Sequence, residues 1–216
     1  MPNPSVVPSP ADGIATLRSF QPLMGFEVRK PRFQKLRRMI GARKTAIVLR
    51  TGATAALVYG QGNTGVSCSM LQSQRSAVAA ASVHGGSGEL GLPLFIADGS
   101  MCDKVDPAFA AHEMPIAKWA EVSGKNGSPG RHRKVSNAVT SLAKRPSPWA
   151  MVKGPAGAFV ATVWRLKWTV LSCLAVTDGL CQHIDFCGNS PAMVERFVQQ
   201  SVWHWRWRRV GSAIRT

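Results

Sequence analysis

Glycine and proline punctuate this chain so often that few windows are left in which a regular element can run. There are 20 glycines and 14 prolines in 216 residues. Glycine costs the most backbone entropy to order and proline removes a backbone donor, so each starts, stops or weakens an element. The windows between them read as helices. From Phe33 onward, Phe33, Leu36, Ile40 and Ile47 fall roughly on one face, with Lys35, Arg37, Arg38, Arg43 and Lys44 around the rest. Gly41 weakens this helix and Gly52 ends it. Ser67 is placed to cap a helix whose stripe is Met70, Leu71, Gln74, Ala77, Val78 and Ala81. Asp106 followed by Pro107 makes a helix start, and Phe109 and Trp119 belong to that helix and its continuation past Pro115. Pro155 opens another, with Phe159, Val160, Val163 and Trp164. Ser190 and Pro191 begin the last, whose stripe is Val194, Phe197, Val198, Val202 and Trp205. Segments 53–60 and 92–97 are apolar but too short for periodicity to choose helix or strand.

No long alternating run typical of a sheet is present, so the expected fold class is mainly α, with irregular helical domains joined by glycine- and proline-rich connectors. Prolines at 2, 4, 8, 10, 22 and 31 mark residues 1–31 as a disordered arm. Residues 32–121 form a helical basic region. Residues 122–148 read as a basic linker around the turn-rich stretch from Ser123 to Lys134, and 149–216 as a C-terminal helical region. The stretch from Phe159 to Val176 is the most membrane-like, but Arg165 and Lys167 sit at its centre. Each charge would cost about 3 kcal/mol at mid-bilayer. A buried or amphipathic helix is expected there, and no transmembrane segment.

Charge narrows the partner. Lys and Arg total 27 against 11 acids, a net charge of +16. The imbalance is segregated: no acid lies between Glu27 and Glu89, between Glu121 and Asp178, or after Glu195. Such a chain is neutralised by a polyanion, and RNA or DNA leads that class. A basic protein with no specific partner is the bland alternative. The hydrophobic share of 45% excludes a wholly disordered chain. Five cysteines without paired spacing do not make a disulfide framework. Residues 1–8 are proline-broken and lack the charged and apolar regions of a signal peptide. The expected setting is intracellular, in nucleus or cytoplasm.

Catalytic motifs fail on inspection. Gly60, Gly62 and Gly65 match G-x-G-x-x-G, but the acid expected about 20 residues on is missing, the next being Glu89. Gly86, Gly88 and Gly91 repeat the pattern, so ordinary turns explain both. Cys173, Cys181, His183 and Cys187 cluster without a C-x-x-C knuckle, which argues for plain thiols over zinc. No nucleophile elbow occurs, and Asp103 and Asp106 are the only close acid pair, with capping to account for Asp106. No catalytic residue, metal, cofactor or small-molecule ligand is expected.

The C-terminal run from Val202 to Arg209 is more specific. Trp203, Trp205 and Trp207 alternate with His204 and Arg206, and Arg208 and Arg209 follow. Tryptophan offers flat surface for stacking and arginine binds phosphate. The structural alternative makes Trp205 core, with the other residues covering a neighbour.

Several blocks together are familiar. Residues 50–60, with Gly65-Val66-Ser67 and Leu71 to Arg75 after them, resemble a region downstream of the polymerase core in reverse-transcriptase-like proteins of dinoflagellate retroelements. Asp106 to His112, Pro115 to Ala120, Trp149 to Pro155 and Ser201 to Arg209 continue the resemblance in order, over about 33–120 and 145–210. It implies a thumb- or connector-like helical region contacting template or primer backbone. The chain departs from the pattern in lacking the palm's metal-binding carboxylates, in residues 121–148 and in the cysteine-bearing 173–187 segment. A fragment, a degenerate copy or one exon of a larger gene fits these departures.

The resulting expectation is a non-enzymatic, backbone-binding nucleic-acid protein. Arg37, Arg38, Arg43 and Lys44 form one patch, and Arg206, Trp207, Arg208 and Arg209 a second. The alternative is a helical module docking on a protein or an anionic membrane surface.

Overall fold

The computed structural model of the protein describes residues 31–82, 106–124, 130–144 and 148–214. The arm expected over 1–31, except Pro31, lies outside the described residues, as do segment 92–97, Gly86 to Gly91 and Asp103. Helices dominate: α1 (31–40), α2 (Ala42–Val48), α3 (Thr54–Val58), α4 (Gln61–Thr64) and α5 (Cys68–Ser82) come first. They are followed by α6 (Pro107–Gly124), α7 (Gly130–Ala143), α8 (Gly154–Leu166) and α9 (Pro191–Ile214). A π-turn over Leu49–Ala53 joins α2 to α3, and a 3-10 turn over Pro148–Met151 leads into α8.

Local chemistry sets most boundaries. Gly41, at φ 80°, interrupts the first helical window in the left-handed region that an L side chain avoids. Gly52 lies within the π-turn, and the chain resumes as α3, so the undecided 53–60 segment is helical over Thr54–Val58 and turns at Tyr59 and Gly60. The Ser67 Oγ accepts from the Met70 N–H at 3.2 Å, and the Asp106 Oδ1 from the Ala108 N–H at 2.9 Å. At the last helix the Ser190 Oγ accepts from the Met193 N–H at 3.3 Å. These are the side-chain caps that satisfy orphan donors at helix starts. Helix α6 runs through Pro115 because packing outweighs the one backbone bond that proline deletes.

Two stretches differ from expectation. Helix α8 stops at Leu166, where Lys167 turns left-handed at φ 60° and its amide donates to the Trp164 carbonyl at 3.0 Å. The rest of the membrane-like stretch enters a small antiparallel sheet in the order β1 (Thr169–Ser172), β2 (Ala175–Thr177), β3 (His183–Asp185). Val170 faces Val176, and Val176 faces Ile184. Strands of three or four residues are too short to show alternation in the sequence. The second difference is α7, which lies inside the stretch read as a linker. Its Val135 and Leu142 are buried, with Ala138 and Val139 packed beside them. This i, i+3, i+4, i+7 stripe was hidden among basic and turn-forming residues. Burying such side chains contributes about 2 kcal/mol each.

One core therefore runs through the expected boundary. Phe109, Ile116 and Trp119 from α6 meet Val135 and Leu142 from α7, and Phe159, Val160, Val163 and Leu166 from α8. Val176 and Ile184 of the sheet and Val194, Val198 and Val202 of α9 complete it. Helix α8 is its axis, with every residue from Gly157 to Val163 buried. Trp119 stacks on Phe159 with centroids 5.8 Å apart, and its Nε1 donates to the Cys173 carbonyl at 2.7 Å, so the one polar group of that side chain is satisfied. A second cluster of Val66, Leu71, Ala108 and Ala111 ties α5 to α6.

Candidate nucleic-acid interface

The C-terminal tryptophan–arginine run lies on α9, and the helix divides it. Val194, Val198 and Val202 follow each other every four residues on the buried side, and Arg206 is the next position on that line. Its side chain is 11% exposed and its Nη2 is hydrogen-bonded and ion-paired with Asp106 Oδ2. The guanidinium also lies over the Phe109 ring, 4.4 Å from its centroid. Arg206 was expected in the solvated patch; it is instead part of the protein's interior. The spacing of four from Val202 was the signal that it continues the core stripe.

Asp106 is the hub of this interior cluster. It is 1% exposed and also holds Arg75, whose Nε lies 3.2 Å from both carboxylate oxygens. Burial works to raise the carboxyl's pKa, but Arg206 and Arg75, with the Ala108 N–H, outweigh it and hold Asp106 below the usual carboxylate value. Six residues further along α6, His112 is buried edge-on to Trp205, ring centroids 5.2 Å apart. Neither ring nitrogen makes a hydrogen bond of good geometry among the described residues. Burial, then the nearby Arg165 and Arg206 charges, push its pKa down to about 3 against smaller contributions from the Ala108 carbonyl and Asp106. His112 is thus neutral at pH 7. Arg165 stacks 3.8 Å from the Trp149 centroid and donates to the Val66 carbonyl, and burial disfavours its charge. Sequence reasoning gave Asp106 its cap but missed its ion pairs, whose partners stand 31 and 100 positions away.

On the opposite side of α9 the run faces solvent. Trp207 is 47% exposed and Trp203, one turn earlier, 37%. Their rings lie parallel, 10° between planes and 5.8 Å between centroids. Arg208 is exposed beside them and donates to the Gly179 carbonyl at 3.2 Å. The side chain of Arg209 lies outside the described residues, as does that of Arg43. In the first patch Arg38 and Lys44 are exposed, while Arg37 is half-buried, its Nη1 donating to the Ala80 carbonyl at 2.8 Å.

Among the described residues, five of the six acids are engaged by hydrogen bonds or ion pairs, and Asp106 and Asp178 are buried. Asp106 is neutralised in the core. Asp178 accepts from the Leu180 and Gln182 amides at 2.8 and 2.9 Å, and Asp185 from the Cys187 amide at 2.8 Å. Glu113 accepts from Gln199 and Glu121 pairs with Lys118, both at 2.9 Å. Among the described residues Glu195 is the acid left on the surface. Arg32, Lys35, Arg38 and Lys44 on α1–α2, Arg133 and Lys134 on α7, and Arg196 and Arg208 on α9 are all exposed.

The glycine motif has a packing explanation. Gly60, at φ 79°, starts the four-residue α4 in a left-handed turn. A Cβ at Gly65 would stand 2.6 Å from the Trp149 ring, and one at Gly62 would crowd Lys118 and the Met114 carbonyl at 3.3 Å. Among the described residues no group of three metal-ligating side chains is placed to hold an ion, and no helix is long and apolar enough to cross a membrane. Blocks 60–75, 106–120, 149–155 and 201–209, far apart in sequence, meet in space: Gly65 on Trp149, Arg75 and Arg206 on Asp106, Trp205 on His112. No protein-family model, curated protein or solved structure matches the chain.

Proposed function

We propose that this chain is a non-catalytic, nucleic-acid-binding region of a retroelement-derived, reverse-transcriptase-like protein, thumb- or connector-like, as a fragment or a degenerate copy. The observation that carries the binding part is the sorting of charge. Among the described residues most acids are engaged in caps, turns and ion pairs, while lysines and arginines on α1, α2, α7 and α9 stay in solvent. A surface of that kind attracts the phosphate backbone without reading bases. The retroelement part rests on the sequence blocks alone. An intracellular setting belongs to the same reading, supported by five cysteines without paired spacing in the sequence.

The test is titration of labelled RNA and DNA against salt. Six phosphate contacts lose roughly three decades of affinity between 50 and 200 mM salt, with little dependence on sequence. Affinity that is flat over that range sinks the reading. Adding a primed template with Mg²⁺ or Mn²⁺ should give no extension, and template-dependent extension by the pure chain would refute the non-catalytic part.

A further inference from the structure

We infer that α7 is the helix this protein lays into the major groove of double-helical DNA, which makes B-form duplex its preferred partner; this rests on the nucleic-acid reading above. Helix α7 is mounted along one side, where Val135 and Leu142 are buried and Ala138 and Val139 pack against the core. Its neighbours there are α8 and the 3-10 turn. On the opposite side Arg133, Asn137, Thr140 and Lys144, spaced by four, three and four residues, form a crest, and all four are exposed. Lys134 and Ser141 flank it, also exposed, and no acid occurs between Glu121 and Asp178. The side chains of Arg133, Asn137 and Lys144 make no hydrogen bond, ion pair or ring contact among the described residues. The Thr140 hydroxyl donates to the Ser136 carbonyl at 3.0 Å, and its oxygen still accepts.

The order of side chains along the crest selects the occupant. A long cation stands at each end, Arg133 and Lys144, about 16 Å apart along the axis, with a short amide and a short hydroxyl between them. A helix with its side chains is about 10–12 Å across and the major groove of B-DNA about 12 Å wide, so the helix fits. A straight helix touches the floor of a groove that winds round the duplex only at its middle, and its ends lift toward the phosphate rows. Such a site needs short groups at the centre and long cations at the ends, which is the order on α7. The Asn137 amide both donates and accepts, so it meets base edges without dictating sequence. The major groove of double-stranded RNA is too deep and narrow for side chains to read, and a single strand holds no two phosphate rows at a fixed spacing. A protein or membrane surface would call for an apolar anchor, and the crest and its flanks contain none.

The experiment measures binding of the full chain to one labelled sequence as duplex DNA, as single-stranded DNA and as double-stranded RNA, at one salt concentration. Duplex DNA should bind roughly 5- to 150-fold tighter than either alternative. The variant Asn137→Leu, Thr140→Leu enlarges the centre of the crest with charge unchanged. It should lose that preference and keep single-strand affinity within about twofold, since the phosphate contacts remain. Arg133→Gln, Lys144→Gln should lower the salt slope on duplex DNA by about two units and weaken the preference. Arg38→Gln, Lys44→Gln, equal in charge, should keep it. Equal affinity of the parent for all three forms, tighter binding of single strand or RNA, or a crest variant that retains the preference overturns the inference and leaves the basic-surface reading intact. Failure of the parent to bind any form at low salt removes both. Polyglutamate or phosphatidylserine vesicles bound as tightly as duplex DNA, and weakened alike by Arg133→Gln, Lys144→Gln, would reduce α7 to a charged surface and also overturn it. Dimethyl sulfate footprinting of duplex DNA saturated with the parent chain decides the matter even if the variants misfold. Guanine N7, on the major-groove edge, should be protected while adenine N3, on the minor-groove edge, stays reactive. The reverse pattern, or protection of both or of neither, overturns the inference.

Discussion

Arg206 and Arg208 stand two residues apart in a run of alternating tryptophan and arginine, yet one belongs to the fold and the other to the surface. Arg206 continues the line of Val198 and Val202 and is clamped by a buried carboxylate; Arg208 turns roughly 200° away and meets solvent. Trp205 and Trp207 divide likewise, one against His112 and the other stacked outward on Trp203. The contrast teaches that composition does not assign a role on a helix, because rotation about the axis does. A motif rich in tryptophan and arginine is two half-motifs with different physics.

The hub offers the hardest way to break that contrast. Asp106→Ala leaves two buried guanidiniums without their shared counter-charge and removes a helix cap. It should cost about 3–5 kcal/mol in a urea unfolding experiment. A loss below about 1 kcal/mol would mean that the cluster is solvated and Arg206 no more interior than Arg208. Arg206→Gln should cost less, about 2–3 kcal/mol, because Arg75 still holds the carboxylate. If it instead weakens nucleic-acid binding and leaves unfolding unchanged, the division of the helix is wrong.

Acid sharpens the same comparison. His112 is neutral when folded, with its pKa lowered to about 3, whereas the unfolded imidazole titrates near 6.5. Unfolding therefore takes up a proton between those values. Stability is full above about pH 6.5 and falls by up to about 1.4 kcal/mol per pH unit as the pH drops toward 3. Asp106 acts in a lower window: its folded pKa is depressed, so its contribution is present above the ordinary carboxylate value and is lost as the pH falls through the folded one. Unfolding of the parent and of His112→Leu across pH 4–7 separates the two. The variant should lose the slope above pH 5, and a retained slope would show that another group carries it.

The smallest effect belongs to the outer face. Arg208→Gln should change stability by no more than about 0.5 kcal/mol and lower the salt slope of binding by about one unit. A larger destabilisation would show that its bond to the Gly179 carbonyl matters to the fold.

What could be read in advance was local. The caps at Ser67, Asp106 and Ser190 act on amides two or three residues away, and all three appear where the side-chain types placed them. The mainly helical class and the buried stripe of α9 follow from periodicity. Helix α7 escaped because its four apolar positions are set among arginine, lysine, serine and asparagine, and the sheet because no strand exceeds four residues. Of the residues proposed as contacts, Arg38, Lys44, Trp207 and Arg208 stand exposed, while Arg37 is half-buried and Arg206 is enclosed. Ion pairs that span 31 and 100 positions leave no local pattern, because their partners meet only once the core has formed.

That span also has a meaning in time. When Asp106 is synthesised its first partner, Arg75, already exists, but the second is 100 residues away. At 5–20 residues per second the ribosome needs roughly 5–20 s to supply it. Until then the carboxylate has one guanidinium instead of two, Phe109 lacks the cation that covers its ring, and His112 lacks its tryptophan. The final turns of α9 thus close the cluster last. A chain ending before residue 205 lacks the groups that cover Asp106, Phe109 and His112 along α6.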